Sequence, residues 1–161
     1  MRTAEEQLGR ITPYIARETI VSAVINGVIG ALFFFIIFGS ADHIAVGEWH
    51  YAVDFLWQSV AVALMACLVP GLIARRAQLT GRLGIRSGSP ATIQWLLRAA
   101  FLSILSALML GAAIAFLWLV SDVATLHWRY ALGIKIIYGA ALGAWVTWRV
   151  LRRMVGGAPL I

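Results

Sequence analysis

The chain has 161 residues, 61% of them hydrophobic and 12% charged, with a formal net charge of +6 and a mean hydropathy of +0.88. Soluble domains carry about 25% charged residues, so this balance excludes an ordinary soluble enzyme and points to an all-α integral membrane protein. The arginines flank apolar runs and form no single basic face, so the positive charge predicts anionic lipid headgroups as partners and no nucleic acid.

Residues 1–18 are mixed. Thr3 with Glu6 makes a capping box, and Leu8, Ile11 and Ile15 recur at near-helical spacing. A short interfacial leader helix is expected, kinked or interrupted by Pro13. Thr19 to Phe38 is the first span; its length is roughly 30 Å as a helix, the thickness of the hydrocarbon core. Gly39 and Ala41 would suit a signal cleavage site, but the run is longer than a signal core and the leader holds three glutamates.

Residues 39–54 form a polar connection with Asp42, His43, Glu48, His50 and Asp54 and no Lys or Arg; Trp49 and Tyr51 fit an interfacial aromatic belt. The second span covers 55–73 and ends or kinks near Pro70 and Gly71. A basic connection, 74–98, carries Arg75, Arg76, Arg82, Arg86 and Arg98, and Ser89-Pro90 reads as a helix start. The third span covers 99–120. After a turn with Asp122 and His127, the fourth covers 130–148 and is followed by Arg149, Arg152 and Arg153.

Eleven of the thirteen Lys and Arg residues fall in the leader, the middle connection and the tail. The positive-inside rule therefore puts both termini in the cytoplasm of a plasma or bacterial inner membrane, with Arg75, Arg76, Arg152 and Arg153 at the lipid headgroups. The first and third spans align at an offset of 81: Arg17 with Arg98, Ser22 with Ser103, Gly30-Ala31 with Gly111-Ala112. Trp49-His50-Tyr51-Ala52 resembles Trp128-Arg129-Tyr130-Ala131 at an offset of 79. Two tandem hairpins related by a pseudo-two-fold axis along the membrane normal would give a four-transmembrane-helix bundle with similar halves; chance matching in an Ala/Leu/Gly-rich chain is the competing account.

Every span has a face of small residues at four-residue intervals, suited to close helix packing. Gly27 and Gly30 lie on the first, and Ser103, Ala107 and Gly111 on the third. On the fourth, Ala131, Lys135, Gly139, Gly143 and Thr147 form one stripe. Lys135 is the only lysine, and a charge at mid-membrane costs on the order of 2.5–3.5 kcal/mol on insertion scales. Snorkelling to the nearer interface is its simplest fate; a buried ion pair is the alternative, with Asp54 the preferred partner and Asp122 the second choice. Asn26 and Gln58 are the other strongly polar residues within spans, suited first to interhelical hydrogen bonds.

No catalytic, metal or cofactor site is expected. The three histidines match no ligand spacing, no span holds a histidine for haem, and Cys67 stands alone among apolar residues. Gly81, Gly84 and Gly88 with Arg82 and Arg86 lack the Lys-Ser/Thr ending of a phosphate loop. Small four-span multidrug exporters are similar in span count only, since they depend on a membrane-embedded glutamate that is missing here. The leading functional reading is a non-catalytic accessory, assembly or scaffold subunit that binds a protein partner or further copies of itself through helix packing. The alternative is a small oligomeric transporter or channel using Asn26, Gln58 and Lys135.

Overall fold

The computed structural model describes residues 4–39, 41–46, 50–81 and 91–156, with side chains from Ile11 to Val155. Four helices dominate: α1 (Ala4–Phe38), α2 (His50–Leu79), α3 (Ile93–Leu119) and α4 (Trp128–Gly156). All four are long and apolar enough to cross a membrane. Two three-residue strands, β1 (His43–Ala45) and β2 (Thr125–His127), complete the order. Thr3, Ser40, Glu48, Trp49, Arg82, Gly84, Arg86, Gly88 and the Ser89-Pro90 cap lie outside the described residues.

Local chemistry sets most helix ends. α1 stops at Gly39, whose φ of +61° is the left-handed conformation of a C-terminal glycine cap, and its N–H bonds Phe35 O at 3.0 Å. α3 starts at the N-cap Thr92, whose hydroxyl accepts from Trp95 N at 3.1 Å.

Neither proline ends its helix. α1 runs unbroken through Pro13 from the leader into the span, and α2 runs through Pro70 to Leu79. Pro70 has no N–H for the carbonyl of Ala66 one turn earlier. That carbonyl instead accepts the Thr147 hydroxyl of α4 at 2.9 Å. A neighbouring helix thus supplies the missing donor, which is how membrane helices tolerate proline.

α2 and α4 are central, with 44% of their most apolar stretches buried against 28% in α1 and α3. α1 packs mainly on α4 and α3 mainly on α2, while α1 meets α2, and α3 meets α4, only marginally. The outer helices present Ile20, Val24, Val28 and Ile36, and Phe101, Met109 and Phe116, with half or more of each side chain exposed. Apolar surface of that extent belongs against lipid.

At one end the connections are tied into an antiparallel ribbon pairing His43 with His127, Ile44 with Leu126 and Ala45 with Thr125. Val46 N bonds Ala124 O at 3.0 Å, and Trp128 N bonds Asp42 O at 3.1 Å. Ile44 and Val46 are buried and seal this end of the core. These strands carry too few residues to announce themselves by alternation; the pairing comes from the helices bringing the two connections together.

Candidate functional site

A spine of polar side chains runs through the interior where α1, α2 and α4 meet. Lys135, Asp54, Gln58, Asn26, Ser22 and Thr147 are all buried, the least so at 6% exposure. Lys135 does not turn outward. Its Nζ lies 2.7 Å from Asp54 Oδ2, with both side chains at most 2% exposed. The contact is an ion pair outside hydrogen-bond geometry, and Asp54 Oδ1 has no hydrogen-bond partner. Nζ also sits 3.6 Å from the centre of the Phe55 ring and 5.0 Å from that of Tyr51. Negative ring faces thus supplement one carboxylate in replacing the ammonium's water.

The spacing along α2 explains this enclosure. Asp54 and the adjacent Phe55 each lie three or four residues from both Tyr51 and Gln58, so the four share one helix face. Tyr51 was expected in an interfacial belt but is fully buried, because its face is the one turned to α4. Its hydroxyl donates to Ala131 O at 2.9 Å, and its ring meets Phe38 of α1, Phe55 and Trp118 of α3. Tyr51 therefore touches all four helices. Its i, i+3 relation to Asp54 was the available signal. Tyr138 was not singled out in the sequence, and Ser59 only as part of the small-residue face of the second span with Ala63, Cys67 and Gly71; the two are hydrogen-bonded to each other across α4 and α2.

Gln58 Nε2 donates to Lys135 O at 3.0 Å, and Oε1 is left without a partner. The glycines allow this close approach. A Cβ on Gly30 would lie 2.7 Å from Gln58 Nε2 and 3.0 Å from Lys135 O. One on Gly139 would lie 2.7 Å from the Asn26 carbonyl oxygen, and one on Gly143 2.5 Å from Asn26 Nδ2. Gly27 is looser, with Ile136 and Ala140 no closer than 3.5 Å. On the other side, Gly111 meets Ser59 and the Phe55 carbonyl, and Ser103 and Ala107 line the same buried face of α3.

Toward the arginine-rich end, Asn26 Nδ2 donates to Ser22 O at 2.8 Å and to Ser22 Oγ at 3.1 Å. Ser22 Oγ is 2.7 Å from Thr147 Oγ1, the group that serves Ala66 O. Asn26 Oδ1 has no partner.

Asp122 is exposed on the connection after α3 and does not join the spine. Arg75 donates through Nε to Ala91 O at 3.0 Å, while Arg76 and Arg152 are exposed and Arg153 is partly so. Arg152 lies over the Trp148 ring, 5.0 Å from its centre. His43 and His127 face each other across the ribbon at 5.8 Å between ring centres, exposed. Among the described residues, no group of three or more His, Cys, Asp or Glu side chains is placed to hold a metal ion. Chemically the spine offers one neutralised ion pair and three carbonyl or carboxylate oxygens with unused acceptor capacity.

Fold and site define a helical protein embedded in a membrane, with one ion pair, Lys135–Asp54, and the side-chain amides of Gln58 and Asn26 turned inward. Comparison with family models, curated proteins and solved structures yields no match.

Proposed function

We propose that this chain is a non-catalytic multi-pass membrane protein, an accessory, assembly or scaffold subunit that works by packing helices against a partner. The observation that carries this reading is the closed interior. Lys135, Asp54 and Gln58 are used between α2 and α4 of the same chain, with Gly30 and Gly139 packed closely against Gln58. A protein whose polar groups serve its own packing has its function on its apolar exterior. Purification in a mild detergent should recover a stoichiometric protein partner; a clean monomer or homo-oligomer counts against the proposal.

In this reading both termini face the cytoplasm of the plasma or inner membrane, and Arg75, Arg76, Arg152 and Arg153 meet anionic headgroups. The arginines gathered at the end opposite the ribbon support that orientation. A cysteine at Thr80 should be shielded from an impermeant maleimide in intact cells, and one at Ser121 labelled, in a Cys67→Ser background. The two halves are further read as a duplicated hairpin around a pseudo-two-fold axis. Its support is the matched packing of α1 on α4 and α3 on α2, and the meeting of Ser59 with Tyr138, which correspond at the 79-residue offset.

The unused acceptors Asn26 Oδ1, Gln58 Oε1 and Asp54 Oδ1 favour one second reading, a small oligomeric transporter or channel. Under it, Lys135→Ala abolishes substrate flux or proton coupling in vesicles; unchanged flux rejects it.

A further inference from the structure

α3 and α4 meet only marginally. Toward their arginine-rich ends the seam between them is narrow, about 10 Å³, and is lined by Arg149 and Arg153 of α4 and by Trp95 and Leu102 of α3. A broader hollow of about 860 Å³ lies on α3 and is also walled by Trp95 and Leu102, so the two adjoin. Arg98 lines that hollow, one helical turn from Trp95 and one from Leu102. Three guanidiniums from two helices thus border one depression, which Phe101 and Leu102 continue toward the apolar middle of α3.

The charge of this depression is uncompensated. Neither α3 nor α4 contains an Asp or Glu, and among the described residues the only ion pair is Lys135–Asp54. Arg98 is exposed, and Arg149 and Arg153 are partly so. Arg149 lies over the Trp145 ring, 5.2 Å from its centre, a contact that fixes its position without neutralising it. A guanidinium keeps its charge at any physiological pH. Three of them grouped without a carboxylate repel one another until an anion sits among them. A phosphodiester fits that place, because its oxygens accept paired N–H bonds from arginine. Basic pockets between membrane helices take anionic lipid headgroups on the same grounds.

We propose that the α3–α4 seam binds one anionic phospholipid. Its phosphate lies at the mouth of the seam, among Arg98, Arg149 and Arg153, and an acyl chain runs over Leu102 and Phe101, which are 40% and 67% exposed. The bound lipid ties together two helices that otherwise hardly touch. This site presupposes that the arginine-rich end lies at the headgroups, the reading given above, and adds Arg98 and Arg149 to the arginines named there.

The test is native mass spectrometry of the full chain in mild detergent with equimolar phosphatidylglycerol and phosphatidylcholine. One phosphatidylglycerol per chain should be retained roughly tenfold more than phosphatidylcholine. Arg98→Gln and Arg149→Gln should each lower that retention several-fold, and the double variant should bring it to the phosphatidylcholine level. Arg76→Gln and Arg152→Gln remove the same charge from exposed positions outside the seam and should leave retention unchanged. Glycerol 3-phosphate, which has the phosphate without acyl chains, should not displace the lipid. The seam is not a lipid site if the Arg98 and Arg149 variants bind like the parent, if the Arg76 or Arg152 variant loses as much as they do, or if glycerol 3-phosphate displaces the lipid; the arginines as a group would still meet headgroups. Equal retention of phosphatidylcholine by the parent chain would remove the headgroup reading as well.

Discussion

The seam between α1 and α2 and the seam between α3 and α4 come from stretches that align in sequence, yet they hold opposite charges and different amounts of space. The first carries Glu18, Ser22 and Asn26 over about 190 Å³. The second carries Ser103 with Arg149 and Arg153 over only about 10 Å³. Ser22 aligns with Ser103, Gly30 with Gly111, and Asn26 with Ala107. The small residues that let helices approach recur on both sides, and the polar chemistry does not. Similar small-residue faces can therefore border seams of different polar chemistry.

The largest test of this asymmetry is the ion pair. Asp54→Leu or Lys135→Leu alone leaves a buried charge without its counterion and should cost about 3–5 kcal/mol of stability. The double replacement should recover most of that loss. Unfolding in mixed micelles with increasing dodecyl sulfate, followed by circular dichroism, measures all three. A double variant as unstable as the singles would mean that the pair is not the unit that matters.

Glycine substitutions probe the close helix contacts. A Cβ at Gly139 meets the Asn26 carbonyl at 2.7 Å, and one at Gly111 meets Ser59 and the Phe55 carbonyl. Alanine at either position should cost about 1–3 kcal/mol by overpacking. Gly133→Ala, where nothing lies within 4 Å, should be tolerated in the same unfolding assay. Similar losses at 111 and 139 would mean that the α2–α3 and α1–α4 contacts are packed equally tightly; a loss at 139 alone would single out the α1–α4 contact.

Thr147→Val leaves the Ala66 carbonyl without a donor opposite Pro70. It should cost about 0.6–1.7 kcal/mol, the span measured for hydrogen bonds between membrane helices. Restoring the backbone donor with Pro70→Ala should reduce the cost of Thr147→Val, read from the double-mutant cycle, leaving the lost contact with Ser22 Oγ. The smallest effect belongs to Glu18→Gln, which should change stability by no more than about 0.5 kcal/mol, because Glu18 has no ion-pair partner among the described residues. A larger loss would mean that its carboxylate supports the fold, in contrast to the buried polar residues' role being confined to the spine.

Much of the architecture was readable in the chain. The four spans followed from hydropathy and length, and the fourth-helix stripe from spacing: Ala131, Lys135, Gly139, Gly143 and Thr147 are all buried. Asp54 was named as the partner of Lys135 because depth from the aromatic belt can be counted along a helix. Of the end or kink expected near Pro70, the end does not occur: the proline's missing N–H is offset by a donor that lies 77 positions along the chain at Thr147. Tyr51 misled the reading for a related reason. Its composition and position fit an interface, but its rotation about α2 turned it inward.

The sequence by itself determined the membrane class, the number and extent of the apolar helices, and the face each could pack. Those properties come from local composition and the 3.6-residue period, which do not depend on the partner helix. Only the tertiary structure decided which faces meet: α1 with α4, α3 with α2, β1 with β2, and Lys135 with Asp54 in preference to the interface. Every span offered a small-residue face, so the choice among them lay in how glycines, side-chain amides and one buried charge fit together at contacts shorter than any sequence pattern encodes.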